Sequence, residues 1–128
     1  MIARDLCLKA PLLDFSVPVW RAWKAFDAGY RYLPVASENA VVGVLFRNQV
    51  CRIPANSLST DFTVLDFLDR SFLLFMEKDP VEFVVQRSKD FKDLTGLIVV
   101  SLEGRYSGII DHEDLDRFLE KEDKWKSL

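Results

Sequence analysis

Apolar residues recur along this chain at two spacings, and the spacings alternate in the same order in each half. In the first half, Leu12-Leu13-Asp14-Phe15 is a short apolar run that predicts a strand. Val19, Trp23, Phe26 and Tyr30 then fall at steps of four, three and four, one face of a helix. Ser16 is placed to cap that helix, Pro18 suits its first turn and Gly29 its end. Residues 31–36 and 40–46 read as two strands across a Ser37-Glu38-Asn39 turn. Residues 47–53 predict a short helix or turn that Pro54 stops, and Ala55–Asp61 is small and polar, a linker. The second half opens on Thr63-x-x-Asp66, a capping box for a short helix over 64–70. Phe72–Met76 is a buried strand, and Asp79-Pro80-Val81-Glu82 starts a helix with Val81, Val84 and Val85 as its apolar stripe. Residues 96–102 and 105–110 form a hairpin around Glu103-Gly104. Asp111 opens a last helix with Leu115, Phe118 and Leu119 on its buried side, and the charged tail from Glu120 is expected to fray.

The two halves repeat at a near-constant offset. Gly43 and Gly108 are 65 residues apart, Pro18-Val19 and Pro80-Val81 are 62 apart, and Asp5-Leu6 and Asp66-Phe67 are 61 apart. One supersecondary unit is therefore used twice, with small insertions in the second copy. Each copy reads strand–helix–strand–strand–helix, which predicts a mixed α/β (α+β) fold of two βαββα repeats, 1–57 and 58–128, packed with pseudo-twofold symmetry. A lone unit of about 60 residues buries too little surface to be comfortably stable, so the copies are expected to pack on each other as one module.

Composition narrows the function. Apolar residues make up 49% and charged residues 29%, which fits an ordered globular chain. Net charge is −3 and basic residues are scattered, so the footprint of nucleic-acid binding is missing. No apolar run approaches the roughly 18 residues of a membrane helix, and the N-terminus does not read as a signal peptide. The expected setting is cytoplasmic. Cys7 and Cys51 form no CxxC pair and the sole histidine is His112, so no metal site is expected and the cysteines read as reduced, mostly buried thiols. There is no phosphate-binding Gly-rich loop, no nucleophile elbow and no HExxH, so the chain does not read as an enzyme.

Gly29-x-x-x-Leu33-Pro34-Val35 followed by Val42-Gly43-Val44 resembles the cystathionine-beta-synthase (CBS) domain. So does Ile98-Val99-Val100-x-x-x-Gly104-Arg105-x-x-Gly108-Ile109-Ile110-x-x-x-Asp114-Leu115, and Thr63-Val64-x-Asp66-Phe67-Leu68 is similar to the helix that leads into such a unit. The resemblance covers essentially the whole chain as a tandem pair, a Bateman module. It implies a regulatory module, not an enzyme, that binds adenosine-containing ligands (adenosine, AMP, ATP or S-adenosylmethionine) between its repeats. It also implies paired modules that form disc-shaped dimers. The family's ligand signature is Gly, two apolar residues, Thr or Ser, two spacers and Asp. It places an acid on the ribose and a hydroxyl near phosphate at a helix start, where free N–H groups favour anions. Here Asp114 stands at the ribose acid and Asp111 at the hydroxyl, with His112 between them; in the first repeat Phe46 and Gln49 replace both polar residues and Arg47 follows Phe46. The ligand-binding candidates are therefore Asp114, Asp111, His112, Phe46, Arg47 and Gln49.

These departures carry expectations. An acid at 111 opposes phosphate, so the ligand should be poor in phosphate and held once per chain, beside Asp114. Phe46 is placed to stack on a base, Arg47 to reach phosphate and Gln49 to bond one hydroxyl. Asp111 and Asp114 equally form the ordinary acidic opening of a helix, with or without a ligand, and His112 reads as a solvated first-turn residue. The alternative reading is an assembly module with degenerate nucleotide sites and no ligand. The 49% apolar content, with aromatic helices in a chain this short, predicts a homodimer through helix faces that carry Trp20, Trp23, Phe67 and Phe83, and any output is expected to pass through an effector protein.

Overall fold

A computed structural model describes residues 1–52, 62–91 and 94–126, with the backbone alone over 122–126. Pro54, the Ala55–Asp61 linker and the 57/58 repeat boundary lie outside the described residues. The described elements run α1 (Ala3–Leu6), β1 (Leu13–Asp14), α2 (Val19–Phe26), β2 (Tyr32–Ser37), β3 (Ala40–Phe46) and α3 (Arg47–Val50). A 3-10 turn (Val64–Phe67) follows, then β4 (Phe72–Met76), α4 (Val81–Ser88), β5 (Gly96–Val100), β6 (Tyr106–Ile110) and α5 (His112–Lys126).

Each half folds into a three-stranded mixed sheet, in the orders β1-β2-β3 and β4-β5-β6. In both, the first strand is parallel to the second and the second antiparallel to the third. A parallel pair needs a crossover, which α2 and α4 supply; an antiparallel pair needs only a turn. The first hairpin turns through Glu38 and Asn39 with φ of 50° and 71°, the second through Gly104 with φ of 82°. Gly43 pairs with Val35 and Gly108 with Val99, and the register shifts just after Val35 and just after Val99. The hairpins over 31–46 and 96–110 are thus the same unit, down to the position of the bulge.

The segments that lead into each unit are exchanged. Ile2 bridges to Pro80 and Leu8 to Ile109, whereas Thr63 bridges to Pro18 and Asp69 to Val44. The Asp5 carboxylate accepts the Ile2 N–H at 2.9 Å and the Asp66 carboxylate accepts the Thr63 N–H at 2.8 Å, which explains the 61-residue spacing of these acids. Each lead-in also finishes the other unit's helix: Val81 N–H donates to Met1 O and Val19 N–H to Phe62 O, both at 3.1 Å. The sequence assigns these caps to Ser16 and Asp79 instead. Ser16 donates back to Asp14, and the Asp79 carboxylate accepts the Met76 N–H, so neither caps. A first helical N–H needs any acceptor, and the exchanged backbone supplies one.

The close approach of the lead-ins explains both glycines. A Cβ on Gly43 would sit 2.5 Å from Leu68 Cδ1 and 2.7 Å from Asp69 O; on Gly108 it would sit 2.6 Å from Leu8 O.

Strand alternation then divides the core. Ile98, Val100 and Ile109 bury with Val19, Leu33, Val35, Val44 and Leu45 of the first half. Their neighbours Leu97, Val99 and Ile110 bury with Phe75, Val81, Val84 and Leu115, and with Ala3 from the N-terminal lead-in. Period-two side chains point to opposite faces, so β5, buried along its whole length, glues the second sheet both to the first half and to its own helices.

Some local expectations shift. Helix α2 ends at Phe26 and buries Val19, Ala22 and Phe26, leaving Trp23 half-buried and Tyr30 in the loop beyond. In α5 Leu115 is buried but Leu119 is exposed, and the helix runs on to Lys126 rather than fraying from Glu120. Cys7 is half-buried and Cys51 exposed, against the expectation of two mostly buried thiols.

Candidate functional site

A cavity of about 660 Å³ opens where the two halves meet at the starts of α3 and α5. The first half lines it with Arg31 and Tyr32 at the head of β2, with Phe46 at the end of β3, and with Arg47, Asn48 and Cys51 of the α3 turn. The second half contributes Asp111, His112 and Glu113. The hairpins place these residues: each last strand runs straight into a helix, so a strand end and a helix start face the same opening.

The helix start is already occupied by the chain's own carboxylate. Asp111 Oδ1 accepts the Glu113 N–H at 2.8 Å, an N-terminal cap. Arg31 crosses from the other half and places its guanidinium 3.0 Å from Glu113 Oε2 and 3.9 Å from Asp111 Oδ1. The Asp111 side chain is only 18% exposed, whereas those of Arg31 and Glu113 are about half exposed, at 52% and 54%. The cavity thus joins two arginines, Arg31 and Arg47, to two carboxylates, with charge balanced inside its own walls.

Tyr32 ties the halves by hydrogen bonds. Its hydroxyl accepts the Leu97 N–H at 2.9 Å and donates to Ile110 O. The ring packs 5.9 Å from Phe46 and edge-on to His112 at 6.5 Å, centroid to centroid. Burial pushes the Tyr32 phenol well above its ordinary range.

Four of the six residues singled out from the sequence, Phe46, Arg47, Asp111 and His112, come together here. His112 is not solvated, contrary to expectation. It is buried, and its Nε2 lies 2.6 Å from Thr95 O, a carbonyl that takes the imidazole N–H. Asp114 and Gln49 are outside the lining. Asp114 faces Arg117 one turn along α5, 3.4 Å away, and Gln49 is exposed on α3. The sequence reading missed Arg31, Tyr32, Asn48, Cys51 and Glu113. Arg31 and Tyr32 sit at the head of a strand, outside any ligand signature, and their partners lie some 80 residues away.

No family model matches the sequence, and no curated protein matches it. Solved structures do. The CBS-pair protein CBSX2 from Arabidopsis thaliana superposes with a TM-score of 0.72 at 19% identity, over 96% of this chain and 96% of that one. The CBS domain pair of protein MJ0100, in complex with 5′-methylthioadenosine and S-adenosyl-L-methionine, gives 0.72 at 21% identity over 95% and 98%. The CBS domain of a bacterial CNNM/CorC family Mg²⁺ transporter, in complex with ATP, gives 0.75 at 16% identity over 91% and 84%. The chain has the tandem CBS-pair fold. The expected architecture of two βαββα repeats is therefore the observed one. In this CBS pair the inter-repeat cleft is held by Arg31 and Tyr32 of the first repeat and by Asp111, His112 and Glu113 of the second.

Proposed function

We propose that this CBS pair is a regulatory, non-catalytic module whose inter-repeat cleft binds an adenosine-type ligand, one per chain and poor in phosphate. The observation that carries it is the cleft itself. Its volume lies within the roughly 300–1,000 Å³ of small-molecule sites, and both repeats contribute aromatic and charged walls. Phe46 offers a ring for a base to stack on, Asp111 and Glu113 offer acceptors for hydroxyls, and Arg47 is a cation for a single anionic group. The same fold holds ATP in the transporter domain and 5′-methylthioadenosine with S-adenosylmethionine in the MJ0100 pair, which supports an adenosine moiety here. The charge argument selects among such ligands. A phosphate about 4 Å from a carboxylate is opposed by roughly 4 kcal/mol at the effective dielectric of a protein surface. Arg31 already serves Asp111 and Glu113, so a phosphate there competes with two carboxylates for its guanidinium. Adenosine and S-adenosylmethionine therefore precede ATP.

A second reading, an assembly module without ligand, is favoured by one observation: the Arg31 bridge already neutralises the cleft from within. Two free cysteines among the described residues fit a reducing, cytoplasmic setting in either case. Native mass spectrometry of the freshly purified protein separates the readings. A small adenosine-type mass retained on each chain supports the sensor, and a bare dimer supports the assembly module.

A further inference from the structure

The two hairpins of the CBS pair end differently, and Tyr32 fills the difference. In the first repeat the β2–β3 ladder continues past Leu33–Leu45 through Tyr32–Phe46 to an Arg47 N–H to Arg31 O bond of 2.9 Å. In the second repeat the pairing stops at Leu97–Ile110, the counterpart of Leu33–Leu45. Thr95, the counterpart of Arg31, gives its carbonyl to the His112 imidazole. Between these strand ends sits the Tyr32 hydroxyl, bonded to the Leu97 N–H and to Ile110 O. Against the ring lies Gly96, the counterpart of Tyr32 itself, whose missing side chain leaves space for Val44. A Cβ there would lie 2.6 Å from Val44 Cγ1 and 3.4 Å from Tyr32 Cε2. A large residue in one repeat thus meets the missing side chain in the other.

We infer that Tyr32 is the built-in occupant of an aryl niche at the splayed end of β5 and β6, and that it limits the cleft to one ligand ring. The niche presents an adjacent donor and acceptor, Leu97 N–H and Ile110 C=O. It suits a flat aromatic group whose edge carries both an acceptor and a donor, as a phenol or a purine does. With Tyr32 in place, a ligand base is confined to the Phe46 side. The count of one rests on the adenosine reading of the cleft; the niche does not.

The test uses Tyr32→Gly and Tyr32→Phe in the full chain, with p-cresol, the detached tyrosine side chain, as the probe. Tyr32→Gly should melt lower than wild type and recover several degrees with millimolar p-cresol, because a ligand of the folded state alone raises its stability. Wild type and Tyr32→Phe should not respond. If Tyr32→Gly is unfolded alone, p-cresol should restore its folded circular dichroism. No recovery in either form, or equal recovery of Tyr32→Phe, overturns the niche. By calorimetry, Tyr32→Gly should take up two adenosines where wild type takes one. A count of one in both proteins overturns the limiting role. Failure of wild type to bind adenosine counts against the ligand reading alone, since the p-cresol result stands without it.

Discussion

Tyr32 and Asp111 show how single residues set the character of the cleft. Replacing Tyr32 by Phe keeps the ring but leaves Leu97 N–H and Ile110 C=O without their partner, which costs about 1–3 kcal/mol for buried groups. Thermal unfolding should show a clear drop in Tm. The drop should shrink in alkali. The Tyr32 pKa is raised in the folded chain above its unfolded value near 10, so its contribution is whole below about pH 10 and is lost as pH rises further. The wild-type advantage over Tyr32→Phe should therefore erode by up to about 1.4 kcal/mol per pH unit above pH 10. Parallel stability curves would contradict the assignment. Burial raises the Tyr106 phenol as well, but it is common to both proteins and cancels. Asp111→Thr retains a capping oxygen, removes the charge and loosens Arg31 from the helix start. AMP should then bind about tenfold tighter by calorimetry, a change of roughly 1.4 kcal/mol, with adenosine little changed. An AMP affinity that stays put would show that the carboxylate does not gate phosphate.

Elements repeat more faithfully than single residues, and the exchanged lead-ins are the clearest case. Gly43→Ala and Gly108→Ala each drive a methyl into the opposing lead-in, against Asp69 O and Leu8 O respectively. Overpacking of this kind costs about 1–3 kcal/mol, so each variant should lose several degrees in Tm, and amide exchange should rise in residues 62–69 or 1–10. Wild-type protection in both variants would argue against the exchange. Most of the fold was legible because its signals are local. Val19, Phe26, Val81 and Val84 mark their helix faces by spacing, and Gly43 and Gly108 mark the bulged hairpins. What the sequence hid was long-range: which carbonyl caps Val19 or Val81, and which strand end receives Tyr32. The site was half legible for the same reason. Phe46, Arg47, Asp111 and His112 sit at strand-to-helix junctions that a pattern reveals. Arg31 and Tyr32 acquire meaning only once the second repeat lies against the first. Asp114 had the signature position, yet its carboxylate turns to Arg117.

At the scale of the molecule, the pair leaves apolar surface exposed among its described residues. Of the four aromatic candidates for an interface, Trp23 and Phe67 pack on the core, while Trp20 and Phe83 stay exposed on α2 and α4. Leu74, Leu94 and Leu102 are exposed as well. A homodimer is the expected state, with sedimentation equilibrium giving twice the chain mass of 14.8 kDa at tens of micromolar. A monomer across that range would contradict it. Calorimetric titration of the wild-type chain with adenosine, AMP, ATP and S-adenosylmethionine tests most directly whether the cleft is a ligand site. Heat that saturates at one ligand per chain, with adenosine or S-adenosylmethionine tighter than ATP, is the predicted result. No heat from any of the four would contradict the sensor and leave a module for assembly alone.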